Sequence, residues 1–266
     1  MVNPPPYSPP PQRFAGGHLP PVGPVFSETL TAFTRDLGPY ALAGLGQLLV
    51  LLPVIFGVFI VAYAVIFVVA IGGVAGSAVI ADRGSDSGAA VFTAAMVAVM
   101  VLVSLGIAWV VNAILAPIFG SLYRAVACHQ RGEQPLGFGS VFSSMGTHLV
   151  SGIVAMVLVT TLVLLGALFC YLPGLVVALF LTWTFPLAAL HGVGAFAALK
   201  RSVSHVRQHF KWHLGFFLYW LLISFVANNI PLIGPMFVVA FTVRVYREVF
   251  GDGDQPVVGQ PPRPSA

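Results

Sequence analysis

Two long stretches without a charged residue constrain this chain more than any other feature. The first is Leu37–Ala81 and the second covers residues 149–190. A helix needs about 20 apolar residues to cross the ~30 Å hydrocarbon core of a bilayer, and an uncharged apolar run of about 18 or more indicates a candidate span. Both stretches exceed that length, so the chain is predicted to cross a membrane several times.

Composition also favours a bilayer over water as the solvent for most of the chain. Of its 266 residues, 58% are hydrophobic and 8% are charged, whereas roughly a quarter of a soluble domain is charged. The net charge of +4 would suit nucleic acid or an acidic membrane surface. Because the basic residues stand beside apolar stretches, we expect the membrane surface and no nucleic acid.

The expected fold class is all-α, a polytopic transmembrane helical bundle of about six spans with interfacial amphipathic helices. Residues 1–26 are predicted to be a proline-rich disordered tail, residues 27–250 the multi-pass transmembrane domain, and residues 251–266 a disordered C-terminal tail. Repeated prolines exclude regular structure from the first tail. This tail lacks the pattern of a secretory signal, so we expect the first span to be an uncleaved insertion signal.

Turn residues divide the apolar stretches into spans. One long tilted helix is expected over residues 45–71, with glycines at its end. Whether Leu37–Ala81 holds one span or two stays open. A second span is predicted over residues 91–115, before Pro117. Tyr-Leu-Pro-Gly at 171–174 would divide spans three and four into a hairpin. Asn-Asn-Ile-Pro at 228–231 would turn the last pair, which either spans the membrane or forms a re-entrant hairpin.

Three shorter segments are expected at the membrane interface. Residues 27–36 would form a helix capped by Ser27, and residues 136–145 would lie along the surface. In residues 197–212, apolar residues recur at spacings of three and four with basic residues on both flanks, which is typical of a helix lying in the interface. Its predicted lipid-facing residues are Leu199, Val203, Val206 and Phe210.

The basic residues of this last segment are the candidate binding residues of the chain. We expect Lys200, Arg201, Arg207 and Lys211 to contact anionic lipid headgroups, so that membrane lipids are the expected partners. The alternative is that the helix packs on the bundle and that its charges only enforce orientation.

The distribution of basic residues predicts the orientation, because Lys and Arg collect on the cytoplasmic side. With six spans and both termini in the cytoplasm, the outer face receives only Arg83, beside Asp82 and Asp86. All other basic residues then lie inside, namely Arg13, Arg35, Arg124, Arg131, Lys200, Arg201, Arg207, Lys211, Arg244, Arg247 and Arg263.

No residue pattern predicts catalysis, a cofactor or a metal. The sequence has no GxGxxG, GxxxxGK[ST] or GxSxG motif, and its loops hold no paired carboxylates suited to acid–base chemistry. His205, His209 and His213 follow at i, i+4 and i+8, and two such histidines can share a metal. No acidic residue or cysteine stands near to complete that site, so a polar interfacial flank is expected instead.

The spans contain no ionisable residue of the kind that marks a proton or ion path. Asn112 is the main polar residue at span depth, together with Thr160, Thr161, Thr182 and Thr184. Asn112 is expected to bond between helices. We therefore expect no ion-coupled pump.

The N-terminal tail offers a possible protein-binding segment. Pro4-Pro5-Pro6-Tyr7 fits a WW-domain ligand and Pro10-Pro11-Gln12-Arg13 loosely suits an SH3 groove. The alternative is a solvated tail without a partner.

From Pro117 onward, short landmarks mark turns, loops and the interfacial helix. They are Pro117-Ile118-Phe119-Gly120, Arg131-Gly132-Glu133, Gly139-Ser140-Val141-Phe142, Leu172-Pro173-Gly174, Phe185-Pro186-Leu187, Ala198-Leu199-Lys200-Arg201-Ser202, Ile230-Pro231-Leu232-Ile233-Gly234-Pro235 and Tyr246-Arg247. This pattern resembles a broad group of bacterial six-helix integral membrane proteins of unknown function. The group includes the membrane region that precedes some glycerophosphodiester phosphodiesterases.

The resemblance implies a bacterial inner-membrane protein with six helices. It implies no phosphodiesterase activity, because the chain has no catalytic phosphodiesterase domain. Two functions follow as hypotheses: a membrane scaffold or anchor that binds lipid or a protein partner, or a passive transporter or channel subunit for a small solute. A polar path through the bundle would favour transport, and a packed bundle would favour the scaffold.

The first prediction is the topology. Reporter fusions at Arg83, Tyr171 and Asn229 should report the outer face, and fusions at Glu133 and after Glu248 should report the inner face, because the basic residues lie on that side. A cytoplasmic signal at Arg83 would require the spans after it to be recounted.

Overall fold

The computed structural model describes residues 19–81, 86–143, 146, 148–169, 171–227, 229–230 and 232–251. Within this part of the chain every regular element is a helix, which confirms the predicted all-α class. In chain order the helices are α1 Val22–Arg35, α2 Leu37–Ala81, α3 Asp86–Gln130, α4 Ser140–Ser143, α5 Leu149–Phe169, α6 Tyr171–Leu181, α7 Thr184–His191, α8 Ala195–Gln208, α9 Phe210–Ala227 and α10 Ile233–Phe250.

Five segments of the described chain are long and apolar enough to cross a membrane. They are Leu37–Val58, Ala90–Gln130, Leu149–Leu168, Tyr171–His191 and Phe210–Ala227. The sixth expected span corresponds to α10, which differs from these five. Its last turns carry Arg244, Arg247 and Glu248, and most of its residues are buried between other helices.

Helices α2 and α3 are much longer than predicted. Each has 45 residues, or about 68 Å at 1.5 Å per residue. The glycines after residue 71 do not end α2, and Pro117 lies inside α3 rather than after it, so the predicted bounds 45–71 and 91–115 were wrong. In lipid, a broken helix would leave several backbone groups without partners, whereas one internal proline removes a single hydrogen bond.

Helix α1 begins five residues earlier than predicted, so that residues 22–26 of the predicted tail are helical. Pro21 precedes its first residue, and Pro24 is tolerated because the N–H groups of a first turn need no helical acceptor. Ser27 therefore does not cap the helix; its hydroxyl donates to the carbonyl of Pro24 at 2.9 Å. The rest of the predicted N-terminal tail, residues 1–18, lies outside the described residues, as do residues 252–266 of the C-terminal tail.

The predicted hairpins are present with shifted boundaries. Helices α5 and α6 pack together along their length. Tyr171 already begins α6, so Pro173 and Gly174 lie in its first turn rather than in the connection. A two-residue turn at Thr182 and Trp183 separates α6 from α7, and a turn that includes Asn229 and Ile230 connects α9 with α10.

Several polar contacts between helices lie at one end of the bundle. The ends of α1 and α3 meet where His129 Nε2 lies 3.6 Å from a carboxylate oxygen of Asp36. Arg124 of α3 donates to the carbonyl of Ala189 in α7 at 2.8 Å. The residues expected to lie along the surface before α5 are instead partly packed, since Val141 in α4 is fully buried against α3.

Close packing of α2 against the start of α10 depends on Gly44. A Cβ at this position would lie 2.6 Å from the carbonyl oxygen of Leu232 and 3.0 Å from Cγ of Met236. Gly44→Val should therefore lower the free energy of unfolding by about 1–3 kcal/mol, measured by thermal unfolding in detergent. Gly57→Val in the same helix is the matched control, because nothing lies within 4 Å of a Cβ there. An equal loss in both variants would contradict this assignment.

Candidate functional site

Helix α8 packs on the bundle through small residues. The chain reaches it from α7 by a short turn, in which Gly192 adopts a left-handed conformation with φ of 66°. The ring of His148 lies so close to Gly192 that a Cβ there would overlap it. The buried face of α8 contacts α5, α6 and α7 through Ala195, Ala198, Ser202 and Val206. Small side chains allow this close approach of helices.

This buried face differs from the apolar face predicted for lipid contact. Val206 is buried inside the protein, Leu199 and Val203 are half-buried, and Phe210 is 43% exposed at the start of α9. At 100° per residue, the buried face is rotated by roughly 65° from the predicted one. Helix α8 therefore has two apolar sides, one that packs on the protein and one that is partly open.

Ser202 connects α8 to the turn between α6 and α7. Its hydroxyl donates to the carbonyl of Phe180 at 2.8 Å and accepts a hydrogen bond from the backbone N–H of Trp183 at 3.3 Å. The hydroxyl thus bonds to backbone groups that lack a helical partner because the helix is interrupted between α6 and α7. This bond fixes the position of α8 on the bundle.

The four predicted headgroup-binding residues lie in two helices rather than one. Lys200, Arg201 and Arg207 belong to α8, whereas Lys211 lies in the first turn of α9, because the predicted helix 197–212 is interrupted at His209. All four side chains are exposed.

The same four cations form none of the ion pairs that the described residues make. Those pairs use other basic residues: Arg35 with Asp36, His129 with Asp36, Arg131 with Glu133, and Arg244 with both Glu28 and Glu248. The exposed side of α8 and the start of α9 therefore present net positive charge.

An open cleft of 590 Å³ lies between α8 and the last residues of α10. Lys200 and Arg201 line it, whereas Arg207 and Lys211 do not. The guanidinium carbon of Arg201 lies 5.8 Å from the ring centroid of Phe250, within the range of a cation–π contact. The structure thus brings together only two of the four predicted residues.

Further lining residues of the cleft were missed by the sequence analysis. They are Ala197, Ser204, His205 and Gln208 from α8, and Val249 and Phe250 from α10. No local pattern could have found the last two, because they precede the C-terminal tail and reach α8 only through the packing of α10.

The three histidines form a continuous contact across the break between α8 and α9. The ring centroid of His205 lies 5.1 Å from those of both His209 and His213. The indole of Trp183 donates to Nδ1 of His213 at 3.2 Å, and His213 is 1% exposed. In the described part of the chain, no three potential metal ligands come together in a suitable group.

Aromatic rings hold the end of α10 in place. Trp183 stacks on Phe216 of α9 with ring centroids 5.1 Å apart. Phe250 lies 5.0 Å from Tyr246 and 4.7 Å from His205. The ring of Phe250 is therefore positioned from several sides before any ligand binds in the cleft.

Polar side chains at span depth mostly bond to their own helix. Asn112 donates to the carbonyl of Ala108 at 2.7 Å, not to another helix as predicted, and the hydroxyl of Thr182 donates to the carbonyl of Ala178 at 3.0 Å. The indole of Trp109 forms an interhelical bond, to Thr161 at 2.8 Å.

Comparison of the chain with models of known protein families, with curated proteins and with solved structures gives no match. The resemblance to bacterial six-helix membrane proteins therefore stays a prediction, and the site is interpreted from its own geometry.

His205 should make the protein less stable in acid. Burial, followed by His209 and Arg201, lowers its pKa below the usual 6.5. Because the unfolded chain then binds a proton more readily than the folded one, stability falls as pH drops below that value. Between about pH 7.5 and about pH 5.5, the wild type should lose a few degrees of Tm in detergent. His205→Gln should lose less; an equal loss in both proteins would contradict this role.

Proposed function

We propose that the protein is a multi-pass membrane scaffold or anchor that holds anionic lipid at one face of the bilayer and has no catalytic activity of its own. One observation carries this proposal. Four exposed cations without acidic partners among the described residues stand on or beside α8, and the opposite side of that helix is packed on the bundle. These charges are therefore carried by a helix whose position on the bundle is fixed.

The energetics suit lipid binding. Each basic residue near an anionic surface contributes about 1 kcal/mol, so that four contribute roughly 4 kcal/mol, reduced by salt. Phe210 and the half-buried Leu199 and Val203 are open enough to reach the boundary between headgroups and acyl chains. Packing of α8 on the bundle is compatible with lipid contact, although the sequence analysis had treated the two as alternatives.

We propose a bacterial inner membrane as the location, with both termini in the cytoplasm. The polar contacts at one end of the bundle support this orientation. Glu28 of α1 lies 3.3 Å from Arg244 near the end of α10, so the first and last helices meet in one polar layer. Because basic residues dominate this layer, the positive-inside rule assigns it to the cytoplasmic face.

A passive transporter or channel subunit is the less supported function. Asn112 and Thr182 would have to line a polar path, but their donors bond to carbonyls of their own helices. A protein partner could still reach the anchor through the proline-rich N-terminal tail, which contains the WW-type segment Pro4-Pro5-Pro6-Tyr7.

The lipid-binding function can be tested with a quadruple variant. Changing Lys200, Arg201, Arg207 and Lys211 to Gln should remove anionic lipid that co-purifies with the protein, because the electrostatic contribution is lost. Lipid content is measured by mass spectrometry after extraction. The topology reporters of the wild type serve as the control for insertion. Unchanged lipid in a correctly inserted variant would leave orientation as the only role of these charges.

A further inference from the structure

We propose that the cleft between α8 and the end of α10 is a discrete site for the phosphate of one anionic lipid headgroup. This inference rests on the proposed lipid-binding function and goes beyond it. A basic surface attracts lipid by charge alone, without a fixed position or number. A site binds one molecule and depends on particular side chains.

The lining of the cleft has the chemistry that a lipid phosphate requires. Lys200 and Arg201 supply positive charge, and a guanidinium can donate two parallel hydrogen bonds to phosphate oxygens. Ser204 and Gln208 add neutral donors on the same side of α8. Val249 and Phe250 supply an apolar wall, which suits the glycerol carbons and first methylene groups below a headgroup.

The cleft is large enough for one headgroup. Its volume of 590 Å³ lies in the usual range for small-ligand sites of about 300–1,000 Å³. One side of the cleft is open, which is necessary for a ligand whose acyl chains stay in the bilayer.

His205 adds a partly buried ring to the lining of the cleft. Its Nε2 is buried and has no hydrogen-bond partner among the residues that the structure describes. Leaving a buried polar group without a partner costs free energy, so native structures usually satisfy such groups. Because Nε2 has almost no exposure to the cleft, phosphate binding depends on Lys200 and Arg201 rather than on this atom.

The cleft is preorganised for binding. Ser202 fixes the inner side of α8 through its bonds to Phe180 and Trp183. Phe250 is held by the rings of Tyr246 and His205, and Arg201 already lies over Phe250. Because these groups need little ordering when a ligand arrives, less binding free energy is lost.

The chain itself supplies a matched control for a discrete site. Lys200 and Arg201 line the cleft, whereas Arg207 and Lys211 are exposed nearby but outside it. Both pairs carry the same charge, so diffuse attraction predicts equal effects when either pair is neutralised. A discrete site predicts a clearly larger effect from the first pair.

The test is native mass spectrometry of the full chain in detergent, titrated with phosphatidylglycerol. The wild type should retain one tightly bound lipid. The double variant Lys200→Gln/Arg201→Gln should bind it roughly 30-fold more weakly, whereas Arg207→Gln/Lys211→Gln should weaken binding clearly less. The charge-preserving variant Lys200→Arg should retain the lipid, and thermal unfolding of each protein checks that it is folded.

The outcomes separate the site from the proposed function. Equal weakening in both double variants would overturn the discrete site and leave lipid binding by charge intact. Wild-type lipid binding in both double variants and in the quadruple Gln variant would overturn the proposed function as well. Glycerol phosphate is the soluble probe for the same chemistry. It should not displace the lipid at equal concentration, and displacement would show that the cleft takes a free phosphate compound instead.

Discussion

The need to satisfy every backbone N–H and C=O within the chain governs the rest of this structure. Inside a bilayer there is no water to replace a missing hydrogen bond, so helices are the form available to an apolar chain of this kind. Helices α2 and α3 continue through Pro53 and Pro117 for this reason. Proline usually ends a helix in water, but Pro53 and Pro117 each remove only one backbone hydrogen bond from these helices.

The same constraint makes helix interruptions informative. The chain is interrupted between α6 and α7 and again between α8 and α9. Both breaks lie near the candidate site. At the first, Ser202 of α8 supplies bonds that the broken helix lacks. At the second break, α8 ends before His209 and α9 begins after it, so Lys211 belongs to α9 and the other three cations belong to α8. The cleft lies where the last residues of α10 approach α8.

Helix α8, which is packed on the bundle and carries exposed basic residues, differs from an isolated amphipathic helix on a membrane. An isolated helix binds through its whole apolar side and folds as it binds, whereas α8 is already folded and packed through Ala198 and Ser202. Its basic residues are thus held at a set position relative to the spans. This arrangement suits an anchor that positions lipid beside the bundle.

The sequence by itself determined the membrane character and the helical class, and it predicted a one-sided distribution of basic residues. These properties follow from composition and from long uncharged stretches, which do not depend on how the helices pack. The sequence also identified the basic segment, since the charges of Lys200 and Arg201 belong to its residues in any fold.

Only the tertiary structure decided which side of α8 is buried and which residues of α10 lie beside its basic side chains. Hydropathy gives most weight to large residues such as Leu199 and Phe210, whereas tight helix packing selects small ones such as Ala198. The cleft depends on Phe250, which is 49 positions from Arg201 in the chain and meets it only through the packing of α10. Contacts between distant residues leave no local pattern, because the physical cause lies in the arrangement of helices.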